Sequence, residues 1–257
     1  MTLSYLNLLL GLLLLVVPGY LLYAYDRLML RKAALSVVRM MVQVAVMGGC
    51  LWLLYHYDSV WLNLLWLLLL VVAAAFMLVS RTHIRSKVLF LPASVGMFVS
   101  VLAISVFLLL CVFRPMASMG ARWFVPTAGV LMAHVLITSI HSVRTYFDSL
   151  RQDSQPYYTL LGNGASRLQA LAPYITRALK SQTVPAMANL SVMGLFVVPM
   201  LLSGLLLGGM DPVTAVCMFV VVVIAGLTVS MLSVVLILLL ADRKAFNRQG
   251  QLGDIFE

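Results

Sequence analysis

Leu161-Gly162-Asn163-Gly164-Ala165-Ser166-Arg167-Leu168-Gln169-Ala170 is a polar, Arg-bearing stretch set between long apolar ones. Downstream the chain passes Val184-Pro185 and enters Met193-Gly194-Leu195-Phe196-Val197-Val198-Pro199-Met200-Leu201-Leu202-Ser203-Gly204, then Gly208-Gly209-Met210-Asp211-Pro212. Two glycines flanking an asparagine tolerate positive φ at low cost, so Gly162 to Gly164 reads as a tight turn. Ser166 stands three residues before Gln169, the spacing of a capping box. Leu168, Leu171, Ala172, Ile175 and Leu179 then repeat at helical intervals, with an interruption or kink expected near Pro173. A helix opened by Pro156, a turn and an amphipathic helix would form a compact knob. The polar face of that helix is not Lys-rich and its apolar face lacks bulky Trp or Phe, unlike a helix that merely rests on lipid headgroups. A knob of this kind suits contact with a soluble partner.

The rest of the chain is membrane-like. Hydrophobic residues make up 63% of the 257 residues and charged residues 10%, against roughly a half and a quarter in a soluble domain. Apolar runs of about twenty residues, long enough for a helix to cross the bilayer core, recur along the chain. The alternating ten-residue pattern of an outer-membrane barrel is absent, so the spans are expected to be helices. The fold class is an all-α polytopic membrane protein with about seven spans, near 3–23, 36–56, 60–80, 88–112, 124–143, 187–208 and 214–241. These and a cytosolic segment, 144–186, make a single transmembrane domain over 1–257. The first run has no basic leader and no small-residue cleavage site, so it reads as a retained helix.

Orientation follows from Lys and Arg in the short loops. Fifteen of the 17 basic residues fall in loops after the odd spans or at their edges, including Arg27, Arg31, Arg81, Lys87, Arg144, Arg177 and Arg243. Only Arg114 and Arg122 fall on the other side. The N-terminus is therefore expected outside, with the C-terminus and 144–186 in the cytosol; an even number of spans would break the pattern. The net charge of +9 belongs to these membrane-flanking loops rather than to a basic face for nucleic acid. Cys50, Cys111 and Cys217 lie in or beside apolar runs without metal-ligand spacing, and read as small buried hydrophobes.

Several chemistries lack candidates. No G-x-x-x-x-G-K-[ST] phosphate loop occurs, so the chain cannot cradle nucleotide phosphates itself. All seven Asp lie in loops or at span ends and the single Glu is Glu257, which leaves no intramembrane carboxylate for a proton relay. No H-E-x-x-H motif is present either. No catalytic residue is assigned, and the chain is not expected to be an enzyme.

Polar residues inside the spans are the remaining signal, because hydrocarbon tolerates them only when they face protein or water. Thr127, His134, Thr138 and His141 share one face of the fifth span. Ser36, Arg39 and Gln43 do so at the start of the second, and Asn189 opens the sixth. Arg39, Gln43, His134, Thr138, His141 and Asn189 are the candidate pathway residues. Interhelical packing accounts equally well for the Ser and Thr residues, and Arg39 also has the reach to snorkel to the headgroups. Two His seven apart make no complete metal site, so metal ligation is left open. Most of the 16 Met read as packing residues. Pro199, Gly204 and Gly208 are candidate helix-packing positions, the glycines forming a G-x-x-x-G.

These residues carry a resemblance. Gly164-Ala165-Ser166 with Gln169-Ala170, Val184-Pro185, Gly194-Leu195, Pro199, Ser203-Gly204 and Gly209-Met210-Asp211-Pro212 resemble the FetB (YbbM-type) ABC transporter permeases. Ser36-Val37-Val38-Arg39 with Gln43 and Val125-Pro126-Thr127-Ala128-Gly129-Val130 agree in order and spacing. The likeness spans about 36–240. It departs at Val198-Pro199-Met200, where the family has Leu-Pro-Gly, and at Ala188, Ser191 and His134. The family is associated with iron export, and plant aluminium-tolerance half-transporter permeases belong with it. The resemblance implies a permease homodimer in the bacterial inner membrane, served by a separate ABC ATPase subunit that binds ATP and Mg. The chain itself would hold no cofactor. Gly162, Asn163, Gly164, Ala165, Ser166, Arg167 and Gln169 would be its coupling element, and the cargo a metal ion, iron or similar, or a small metal-linked solute. A non-transporting scaffold or receptor for a soluble partner, and a stand-alone secondary carrier, are the alternatives.

Overall fold

A computed structural model describes residues 13–25, 27–113, 120–193 and 200–245. They are helical, with no β-strand among them. A 3-10 turn at Leu13–Leu15 leads into α1 (Val16–Tyr25), followed by α2 (Arg27–Tyr57), α3 (Val60–Thr82) and α4 (Ser86–Phe107), which continues as a π-helical turn, Leu108–Val112. Then come α5 (Ala121–Gln152), α6 (Gln155–Gly162), α7 (Arg167–Met193), α8 (Met200–Leu207) and α9 (Pro212–Ala245). Among the described residues five helices are long and apolar enough to cross a membrane: α2, α3, α4 with its π turn, α5 and α9. The start of the expected first span and the centre of the sixth, with Pro199, lie outside the described residues.

The chain divides into two compact units, 1–57 and 58–257. In the first, α1 and α2 touch each other. α2 starts nine residues earlier than expected for the second span, at Arg27 rather than 36, because nothing between Arg27 and Ser36 breaks a helix. Val38, Val42 and Val46 are exposed along it.

In the second unit α9 lies against α4 and α5, α3 against both of those, and α7 against α5. Leu67, Leu89, Met97, Leu131, Val135 and Ile237 are fully or almost fully buried between them. Helices in lipid associate by close packing rather than by water expulsion, so small residues mark the crossings. A Cβ on Gly96 would come within 2.7 Å of the Ile237 side chain and 3.1 Å of its backbone nitrogen, so α4 and α9 meet where α4 has no side chain. On Gly204, by contrast, a Cβ would meet nothing within 4 Å, and on Gly208 only carbonyls of α8. No described helix of this chain uses that G-x-x-x-G. Cys111 and Cys217 are exposed on outward faces rather than buried.

The helix ends have local causes. Gly164 (φ 83°) and Gly209 (φ 87°) each close a helix in the left-handed conformation. Ala165 N–H bonds the Leu160 carbonyl and Gly164 N–H that of Leu161; Met210 and Gly209 repeat the pattern onto Leu205 and Leu206. This is the Schellman arrangement, which satisfies carbonyls a helix end would leave bare. Asp211 Oδ2 then accepts from the Val213 and Thr214 amides at 3.1 and 3.3 Å, capping α9, with Pro212 at its first position. Asp58 does the same for α5 from a distant loop, accepting the Ala121 amide at 2.5 Å.

Two expectations change. α7 runs unbroken through Pro173 and Pro185, so the interruption expected near Pro173 is absent. The helix leaving the polar turn continues directly into the apolar region. α5 extends well past the expected end at 143, its 32 residues amounting to about 48 Å against a bilayer core of about 30 Å. Its final turns carry the exposed Arg144–Asp148 ion pair at 3.6 Å, which suits a helix that has left the hydrocarbon.

Candidate functional site

A cavity of about 410 Å³ opens between α5, α7 and α9. α5 contributes His134, Ile137, Thr138 and His141; α7 contributes Ser181, Gln182, Thr183, Pro185, Ala186, Asn189 and Leu190; α9 contributes Val223, Gly226, Leu227, Ser230 and Met231. Intervals of three and four put the α5 residues on one helical face. Gly226 makes room for the imidazole opposite, since a Cβ there would sit 3.3 Å from the His134 ring. His134, His141 and Asn189 are exposed, so within this single chain the cavity is open on one side.

The hydroxyls of the wall have committed their protons. Thr138 donates to the His134 carbonyl at 2.8 Å, Ser181 to Ala178 at 2.7 Å, Thr183 to Leu179 at 2.8 Å and Ser230 to Gly226 at 2.6 Å. Each hydroxyl oxygen keeps a lone pair, so these groups offer acceptors. Gln182 differs: it is 7% exposed and neither its amide oxygen nor its nitrogen has a partner. A buried amide left in that state costs stability unless water or a ligand completes it. Apart from the two imidazoles no titratable side chain lines the cavity.

Four of the six candidate pathway residues, His134, Thr138, His141 and Asn189, thus line one cavity. Thr127 does not, and is buried with its hydroxyl on the Trp123 carbonyl. Arg39 and Gln43 belong to the first unit, where both are exposed. Among the described residues no three His, Cys, Asp or Glu gather as a metal site. Sequence reading missed Gln182, Ser230 and Gly226. Gln182 was visible as a polar residue at the helical spacing of Asn189, seven positions on, but the cytosolic segment expected to end at 186 placed it outside the spans.

The polar turn lies between α6 and α7. The Ser166 amide donates to Gln169 Oε1 at 2.9 Å, and the Gln169 amide faces Ser166 Oγ at 3.4 Å, the expected capping box. Gly164 alone takes positive φ; Asn163 does not. Gly162, Asn163, Gly164, Ser166 and Gln169 are exposed, and Ala165 and Arg167 half-buried. Leu168 and Tyr158 beside them are 60% and 40% exposed. Beneath this surface Tyr157, Leu171, Tyr174 and Ala178 are buried, and Tyr174 donates to the Asp153 carbonyl at 2.6 Å. Burial pushes the Tyr157 and Tyr174 phenols up from their ordinary pKa, so both remain neutral anchors at physiological pH. Deeper still, Tyr146 of α5 donates to Asp242 Oδ1 at 2.7 Å, and the Arg167 guanidinium donates to the Asp242 main-chain carbonyl.

Membrane-length apolar helices, a cavity open on one side and a well-anchored exposed turn describe a multi-pass membrane protein. The chain belongs to the uncharacterised protein family UPF0014, whose model matches residues 5–246. It is 27% identical over 217 residues to a UPF0014 membrane protein of Synechocystis, covering 83% of each chain. It is also 27% identical over 248 residues to the probable iron export permease protein FetB of Escherichia coli, covering 93% of this chain and 92% of that one. Protein ALUMINUM SENSITIVE 3 of Arabidopsis thaliana is 24% identical over 192 residues, 73% of this chain and 67% of its own. No solved structure matches the chain.

Proposed function

We propose that this chain is the membrane-spanning subunit of an ATP-driven ABC transporter of the bacterial inner membrane, acting as a homodimer with two separate ATPase subunits. Its cargo on this reading is a metal ion, iron or similar, or a small metal-linked solute, moved outward. ATP and Mg bind the partner, not this chain. The carrying observation is mechanical: α7 leads without a break from the exposed turn to Gln182 and Asn189 in the cavity. A push on the turn by a closing ATPase is thereby delivered to a cavity wall, and rigid-body rocking would alternate its opening. The open side of the cavity, with His134, His141 and Asn189 exposed, is the side a second copy would cover. Imidazole nitrogens, hydroxyl oxygens and amide carbonyls supply neutral ligands suited to a borderline metal ion or a hydrogen-bonding solute. The printed name of the E. coli relative favours export of iron.

The test is co-expression with the ATPase encoded nearest to the gene. The expected result is a stable complex that hydrolyses ATP and moves iron out of cells or into inverted vesicles, with no hydrolysis by the permease alone. Hydrolysis by the pure chain, or absence of any complex, rejects the proposal.

A further inference from the structure

Three helices meet a second time below the cavity, and they are the same three. Tyr146 of α5 and Arg167 of α7 both bond Asp242 of α9, the first at its carboxylate and the second at its main-chain carbonyl, and Asp242 is 5% exposed. From His134 in the cavity to Tyr146 is twelve residues of α5, roughly 18 Å of continuous helix. Arg167 is the first residue of α7, directly after the turn. The convergence therefore stands between the exposed turn and the cavity.

Its hydrogen bonding is incomplete in one place. Asp242 Oδ1 is held by the Tyr146 hydroxyl at 2.7 Å. Oδ2 is buried and accepts no hydrogen bond, while the Arg167 guanidinium donates to the main-chain carbonyl of the same residue. A buried carboxylate oxygen without a donor is costly, and a carboxylate is a stronger acceptor for guanidinium than a carbonyl is. Here Oδ2, the stronger acceptor, has no donor, although the guanidinium reaches the carbonyl of the same residue.

We propose that Asp242 is a positioning residue for transport, whose spare Oδ2 gives Arg167 a second docking position when the turn is pushed. The guanidinium moves from the Asp242 carbonyl to Oδ2, α7 shifts against α5 and α9, and the cavity walls follow. Two discrete arrangements of one contact are what a coupling element requires. This proposal rests on the reading of Gly162 to Ala170 as the surface that meets the ATPase.

The experiment uses the full complex with its ATPase, with Cys50, Cys111 and Cys217 replaced by serine and Met231→Cys as a reporter in the cavity. Maleimide labelling is timed without nucleotide and with ATP plus vanadate. In the parent the two rates are expected to differ several-fold. Asp242→Asn keeps the shape and the acceptor for Tyr146 but turns Oδ2 into an amide that repels a guanidinium. Complex yield and ATP hydrolysis are expected to persist in it while the two labelling rates become equal. A parent-like difference in rates overturns the proposal. Where Asp242→Asn lowers complex yield, Tyr146→Phe decides: it is expected to shrink the rate difference at normal yield, and an unchanged difference overturns the proposal equally. A parent complex that hydrolyses ATP without any change in labelling, or that never forms, rejects the coupling reading itself and this proposal with it.

Discussion

Gln182 separates a packing role from a binding role at the scale of one side chain. Both of its amide atoms are buried without partners, so Gln182→Leu removes an unsatisfied group of similar size and should leave stability unchanged or raise it by about 1 kcal/mol. Transport should fall. Thermal unfolding in detergent beside a transport assay checks this, and a variant with normal transport would take Gln182 out of the pathway. Gly96 is the opposite kind of residue, needed for the fold and remote from cargo chemistry. Gly96→Ala places a methyl 2.7 Å from the Ile237 side chain and 3.1 Å from its backbone nitrogen. Overpacking of this sort costs about 1–3 kcal/mol, to be read as a lower unfolding midpoint. His134→Leu extends the comparison, because its ring lies against Gly226 in the open wall. Complex assembly should persist while transport falls or changes selectivity; a pure packing contact would cost only about 0.6 kcal/mol, with transport per complex unchanged.

Among the helices and their connections, the turn between α6 and α7 yields a contrast between two glycines that look alike in sequence. Gly164 has φ 83° and Gly162 does not have positive φ, though a Cβ on either would meet nothing within 4 Å. Gly164→Val is therefore opposed by backbone conformation alone, at a cost of about 1–3 kcal/mol, and should reduce ATPase binding or stimulation. Gly162→Ala, at the end of α6, replaces a poor helix former with a good one and should be neutral or slightly stabilising. Equal losses in both variants, measured as ATPase stimulation per complex, would show that flexibility rather than the left-handed bend is what the turn supplies. The capping box and the turn were legible in sequence because each depends on residues a few positions apart. The continuity of α7 was not. Pro173 reads locally as an interruption or kink, yet α7 is helical through it and through Pro185, and buried Leu171, Tyr174 and Ala178 supply tertiary packing that overrides local propensity.

For the molecule as a whole, the charge asymmetry leads to a prediction about sidedness. On the proposed orientation, Arg122→Cys should react with an impermeant thiol reagent from outside intact cells and Asn163→Cys only after permeabilisation, with the native cysteines replaced. The reverse pattern would place the turn outside, out of reach of any cytosolic ATPase, and would reject the functional proposal along with the orientation.

The helical membrane character of the chain was determined by composition and run length alone, since 63% hydrophobic residues in stretches of about twenty leave the backbone no other way to satisfy itself in lipid. The polar face of α5 was equally readable, because His134, Thr138 and His141 are placed by helical period. Which other helices share their cavity was not. The spacing of His134 and Thr138 does not tell that they line one cavity with Gln182 and Ser230, and Gly226 reveals its purpose only opposite an imidazole. The meeting of Tyr146, Arg167 and Asp242, 96 and 75 residues apart in its two contacts, lay equally beyond the sequence. Helical period fixes which residues share a face within one element, whereas the pairing of faces depends on how helices cross, and that is settled by the packing of the whole bundle.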